Sequence, residues 1–158
     1  RIVCLQPPSH LTYYRYFRAG FERGLSRFGL QETPLTSVST DSSLSEIRNG
    51  VLAALSSSTP PDGVIACSGS SAVPIMAALR TRGLRLGEDV DLVAKQPADF
   101  LNWISPEIIA MSEDFSQAGR ELARAVLARI ENRSSPPRQS ISKPDWSNAP
   151  LLKTAQSR

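Results

Sequence analysis

The stretch from Val64 to Val93, VIACSGSSAVPIMAALRTRGLRLGEDVDLV, limits the possible fold more than any other part of the chain. A short apolar run stops at Ser68-Gly69-Ser70-Ser71, a helix-period pattern runs to Gly83, and a second apolar run closes the unit. Strands separated by a helix are joined by crossovers, and crossovers build a parallel sheet with helices on both faces. The same alternation continues on either side. RIVCLQ reads as a buried strand ending at Pro7 and Pro8, after which Tyr14, Phe17, Phe21, Leu25 and Phe28 recur at helical spacing until Gly29. Thr36 to Ser39 reads as a short second strand. Ser43 and Glu46 then form a capping box for a helix burying Leu44, Ile47, Val51 and Leu55.

Pro60 and Pro61 break the chain before a strand from Gly63 to Cys67, and Pro74 fits the first turn of the next helix, where its missing N–H costs nothing. Val90 to Ala94 makes a fourth strand and Ile108 to Met111 a fifth. Phe115, Ala118, Leu122, Val126 and Ile130 line one face of a final long helix. The predicted fold is α/β: a doubly wound, mostly parallel sheet with helices on both faces. Beyond Asn132 the composition turns to Ser, Pro and Arg, with one strand expected around Arg138 to Ser142 and no periodicity after it.

Length and composition agree with one domain: 158 residues, 41% hydrophobic, 21% charged. No apolar run approaches bilayer length and RIVCLQPPSH lacks a signal peptide's long apolar region, so the chain reads as soluble, with no membrane partner. Cys4 and Cys67 fall in predicted strands without a CxxC or His-rich neighbourhood, which favours packing as small hydrophobes over a disulfide or metal site and fits a cytoplasmic compartment. The net charge of +3 is spread along the chain and does not single out nucleic acid.

Ligands of open parallel sheets gather at the carboxyl ends of strands, which is where the serine quartet lies. In one reading its hydroxyls and amides face a ligand. In the other, a serine caps the helix and Gly69 makes the turn. No GxxxxGK[ST] loop is present, and no cofactor is expected. Catalysis is not expected either: the single histidine, His10, lies in a loop, and GxSxG and metal-ligand clusters are missing.

The runs PPDGVIACSGSSAVPIMAALRTRGLRLGEDVDLVAKQPADF, ISPEIIAMSEDFSQAGRELARAVLARIEN and PPRQSISKPDW, with AGFERGL ahead of them, resemble the second lobe of the effector-binding region of lactose-repressor (LacI/GalR) family transcription regulators. The resemblance covers residues 1 to about 146 and implies a periplasmic-binding-protein-like lobe, with residues 1–133 forming the lobe and 134–158 a return crossing to a missing first lobe plus tail. It also implies an upstream helix-turn-helix that contacts DNA, a small-molecule effector between two lobes, and a homodimer. The alternative of the same fold is a periplasmic-type solute-binding protein serving a transporter.

Departures from the family pattern bear on the effector. Ser68-Gly69 stands where the family has Asn-Asp, Gln96 where it has an acidic residue, and Phe17 where it has Arg, with Arg15 nearby. The loop Ser39 to Ser43 lacks the aromatic on which many members stack a sugar ring. The resulting expectation is a pocket without carboxylates, suited to an anionic or more apolar sugar derivative and read by Ser68, Gly69, Gln96, Tyr13, Arg15, Phe17 and Trp103. Core packing competes for at least two of Tyr14, Phe17 and Phe21, and burial against the sheet competes for Trp103.

Overall fold

The computed structural model describes residues 1–97, 99–132 and 139–146. Five parallel strands, β1 (Ile2–Leu5), β2 (Glu32–Thr33), β3 (Gly63–Ala66), β4 (Asp91–Gln96) and β5 (Ile109–Ser112), form one sheet in the order β2-β1-β3-β4-β5. Between and after them run α1 (Tyr14–Phe28), α2 (Leu44–Leu55), α3 (Ala72–Thr81), the short α4 (Leu101–Ile104) and α5 (Phe115–Glu131). The predicted parallel α/β architecture is therefore present.

Strand alternation sorts the side chains. Val3, Leu5, Val64, Ala66, Leu92 and Ala94 are almost fully buried and pack with Ile47 and Val51 of α2 and Ile75 and Leu79 of α3. At about 25 cal/mol per Å² of apolar surface removed from water, this layer is the main stabilising element. The alternate residues Ile2, Ile65, Val93, Lys95, Ile109 and Met111 point to the other face and are only half-buried. The chain steps one way from β1 to β2 and the opposite way thereafter, so right-handed crossovers place α1 on the face opposite α2 and α3.

Local signals hold where they were strongest. The capping box is formed: Ser43 Oγ accepts from Glu46 N, and the Glu46 carboxylate accepts from Ser43 N at 2.8 Å. Gly83 lies just past α3 in the left-handed region, φ 69, where a Cβ would be strained.

Several expectations are corrected. The second strand is Glu32–Thr33, not Thr36 to Ser39, because Pro34 has no amide to extend the ladder and Ser37 turns the chain through a left-handed conformation, φ 61. Of the α1 stripe only Phe21 is buried; Tyr14 and Phe17 are half-buried and Phe28 is exposed. Arg18 clamps Glu32 of the edge strand through Nη2–Oε2 at 2.6 Å and Nη1–Oε1 at 2.8 Å. The helix α5 is present, but Phe115, Leu122, Val126 and Ile130 stay exposed, so no layer covers its apolar face among the described residues. The strand expected from Arg138 to Ser142 begins outside the described residues, and 139–142 form no ladder. An antiparallel bridge joins Asp145 to Ser112 instead.

Candidate functional site

Because β2 and β3 flank β1 on opposite sides, the topological switch point lies between β1 and β3, at whose carboxyl ends connecting loops diverge and leave a crevice. A cleft of about 280 Å³ opens beside it, lined by Tyr13, Thr40, Asp41, Cys67, Ser68, Gly69, Lys95, Pro97 and Phe115. A second cavity of about 370 Å³ adjoins the loops after β1 and β2 and includes Gln6, His10, Tyr14 and Ser37. A further one, about 460 Å³, lies at the amino ends of the strands, away from the switch point.

Each wall of the cleft has a local cause. The loop Ser39 to Ser42 folds on its own hydroxyls, with Ser39 N donating to Ser42 Oγ at 3.1 Å and Asp41 N to Ser39 Oγ at 3.3 Å. Thr40 N then donates to Gln6 O at 3.0 Å and holds that loop against the end of β1. This places Asp41 in the cleft, and no ion pair engages its carboxylate among the described residues. Across the cleft Lys95 occupies the outward face of β4, one residue before the strand ends, and its Nζ lies 3.0 Å from Glu113 Oε2.

The quartet divides its roles. Ser68 is half-buried in the cleft wall and its Oγ lies 2.9 Å from Ser70 Oγ, either atom donating. Gly69 is buried, and a Cβ there would meet Lys95 O at 3.0 Å and Phe100 Cζ at 3.0 Å, so close approach to β4 and α4 explains the glycine. The expected serine cap on α3 is absent. Ser71 occupies the cap position but accepts nothing, and its buried Oγ has no hydrogen-bond partner among the described residues. The turn is closed by backbone bonds instead, Ser71 N to Ser68 O at 3.3 Å and Ala72 N to Gly69 O at 3.1 Å.

Of the residues singled out by sequence, the fold brings Tyr13, Ser68 and Gly69 together and leaves four outside the cleft lining. Gln96 is fully buried: its Oε1 accepts from Leu101 N at 3.0 Å and its Nε2 donates to Ser112 Oγ at 3.2 Å, which ties β4 to α4 and β5. Arg15 is exposed on α1 and donates to Tyr16 Oη at 2.7 Å, while Phe17 stacks on Phe21 with centroids 6.4 Å apart. Trp103 is 88% exposed on α4, not buried against the sheet. Where a pocket without carboxylates was expected, the lining of this cleft includes the Asp41 carboxylate, because the Ser- and Thr-rich loop folds back beside it. Lys95 was also missed. Its signal was available: a lysine at an outward register position at the end of a parallel strand.

A parallel sheet in this order, with a polar cleft at its switch point, defines an α/β lobe of binding-protein type. Residues 1–147 match the periplasmic binding protein-like domain family, and the chain belongs to that family. Among curated relatives, the HTH-type transcriptional regulator PtxS of Pseudomonas aeruginosa is 31% identical over 93 residues, 58% of this chain and 27% of that protein. The ribose operon repressor of Haemophilus influenzae is 25% identical over 83 residues, 52% of this chain and 25% of that protein. Among solved structures, a LacI-family regulatory protein from Chloroflexus aggregans superposes with a TM-score of 0.78 at 20% identity, covering 92% of this chain and 52% of that one. A LacI-family transcriptional regulator from Enterococcus faecium with bound ribose gives 0.75 at 18% identity, covering 92% and 54%. The resemblance to a lactose-repressor-type effector-binding region thus stands, and the chain spans about half the length of these structural neighbours.

Proposed function

We propose that this chain is the effector-sensing lobe of a DNA-binding transcriptional regulator, and that its cleft holds a polyhydroxylated small molecule, a sugar or sugar derivative, against a second lobe. The observation that carries this reading is the cleft at the switch point, where the Asp41 carboxylate, the Ser68 hydroxyl and the Lys95–Glu113 pair converge in a chain whose curated relatives are a ribose operon repressor and an HTH-type transcriptional regulator. Lys95 already has a counter-ion and Asp41 has none among the described residues, so the unfilled capacity is for hydrogen-bond donors. That favours neutral hydroxyl-bearing ligands over the anionic ones read from the sequence. Tyr13, 53% exposed at the mouth, offers a ring face to such a ligand.

Closure on the effector would stabilise one interlobe angle, and in a homodimer that angle would set the spacing of two upstream helix-turn-helix heads on DNA. The bare apolar strip of α5 would supply a face for the second lobe; the return crossing expected over 134–158 lies largely outside the described residues. Dimerisation is assigned to the outer faces of α2 and α3, and the whole reading places the regulator in the cytoplasm. Nothing in the reading requires catalysis.

The test is isothermal calorimetry of the full-length protein with ribose, other neutral sugars, sugar phosphates and sugar acids, with operator binding followed by gel shift. Binding of a neutral sugar that changes DNA affinity is expected. Asp41→Asn should weaken that binding by about 10- to 100-fold, the loss of a charge-assisted hydrogen bond. Binding confined to anionic compounds, or unchanged by Asp41→Asn, would overturn the effector assignment.

A further inference from the structure

The cavity of about 370 Å³ beside the loops after β1 and β2 is not used by the sensing reading, yet it abuts the cleft. Two separate segments show this. At the start of α1, Tyr13 lines the cleft and Tyr14 lines the cavity; in the loop after β2, Thr40 and Asp41 line the cleft and Ser39 the cavity. Consecutive residues thus face the two spaces. The partition between them is a strap of chain fastened where Thr40 N donates to Gln6 O at 3.0 Å.

The lining defines what the cavity can take. Leu35 and Val38 give it an apolar wall, and Gln6, His10 and Tyr14 bring an amide, an imidazole and a phenol. No Asp, Glu, Lys or Arg lines it, so it suits an uncharged group. Gln6 Nε2 donates to Glu32 Oε1 at 3.2 Å, while its buried Oε1 receives no hydrogen bond among the described residues. Buried acceptors are nearly always paired, so this lining residue calls for a donor. Ser37 completes the wall in a left-handed conformation, φ 61, which costs a non-glycine residue free energy and is concentrated where a site has to be shaped.

From this juxtaposition we infer that the cleft and the cavity are two compartments of one binding site, and that the effector is an uncharged glycoside of at least two units. One unit sits in the cleft against Asp41 and Ser68, and a second hydroxyl-bearing unit sits in the cavity against Gln6, His10 and Tyr14. The inference rests on the proposed sensing function. Size favours it. The cleft, at about 280 Å³, falls just below the roughly 300–1,000 Å³ of small-molecule pockets, and the cavity more than doubles the space. Both spaces open to the outside, so the glycosidic link passes over the Thr40–Gln6 strap and not through it.

The experiment is isothermal calorimetry of the full-length protein with cellobiose, maltose, lactose and sucrose, each beside its component monosaccharides. At least one disaccharide should bind about 10- to 100-fold tighter than either component. Ser9→Trp and His10→Trp, each at an exposed loop position lining the cavity, should abolish that advantage and leave monosaccharide affinity and melting temperature unchanged, whereas Asp41→Asn should weaken both classes of ligand. Two positions keep the comparison valid if one replacement disturbs the loop. Monosaccharide binding with no disaccharide advantage, or an advantage that survives both tryptophans, overturns the second compartment and leaves the sensing reading standing. Failure of every sugar to bind overturns the sugar assignment of the cleft together with it.

Discussion

Gln96 offers the sharpest test of how this structure is held together, because sequence placed it in the ligand set and the fold buries it. Replacing it by leucine removes the acceptor for Leu101 N and the donor to Ser112 Oγ while keeping similar volume. The Leu101 amide is left buried without a partner, at a cost of about 1–3 kcal/mol; Ser112 is half-buried and regains water, so the second bond adds only about 0.5–1.5 kcal/mol. Leucine returns roughly 1 kcal/mol through apolar burial. The net expectation is a loss of about 2 kcal/mol, read in urea unfolding as a lower midpoint at unchanged slope. Gln96→Glu sharpens the argument. Its neutral acid can serve both bonds, and burial raises its folded pKa, so stability is retained below the ordinary carboxylate range and lost as pH rises through it. A Gln96→Leu protein with unchanged stability and lost effector affinity would refute the positioning role.

Gly69→Ala sets a methyl 3.0 Å from Lys95 O and Phe100, and overpacking of this kind is expected to cost about 1–3 kcal/mol in thermal or urea unfolding. Ser71→Ala removes a buried hydroxyl that has no partner among the described residues; the same measurement should show no loss, or a gain of up to about 1 kcal/mol. The Ser43 hydroxyl and amide hold the Glu46 carboxyl below its ordinary value, so the stabilisation of the first turn of α2 is present above the ordinary carboxylate range and fades as pH falls through the lowered one. The protection factors of the Glu46 and Ile47 amides should therefore fall in acid, and Ser43→Ala should weaken that pH dependence while the amide at position 43 keeps part of it.

The elements whose signals are local were legible from the residues alone. Period-2 and period-3.6 patterns, the Ser43–Glu46 box, Pro74 in a first turn and Gly83 after a helix depend only on neighbours within a turn or two, and each is where the sequence puts it. The crossover rule carried these to a parallel sheet. Apart from the serine cap on α3, a local signal that is not realised, what failed were readings that depend on distant partners. Whether Thr36 to Ser39 pairs is decided by Pro34 and by the Arg1 and Arg18 contacts to Glu32 and Thr33, which come from elsewhere in the chain. Gln96 and Lys95 are adjacent in sequence and opposite in fate, because the pleat sends one into the α2–α3 side of the sheet and the other to the cleft. Asp41 reaches the site only because Thr40 N is tied to the end of β1 across a gap of more than thirty residues. The sequence by itself determined the order and type of the elements, since those are set by short-range geometry. Tertiary structure alone decided which polar side chains meet, because that depends on strand order and loop return, which no local pattern encodes.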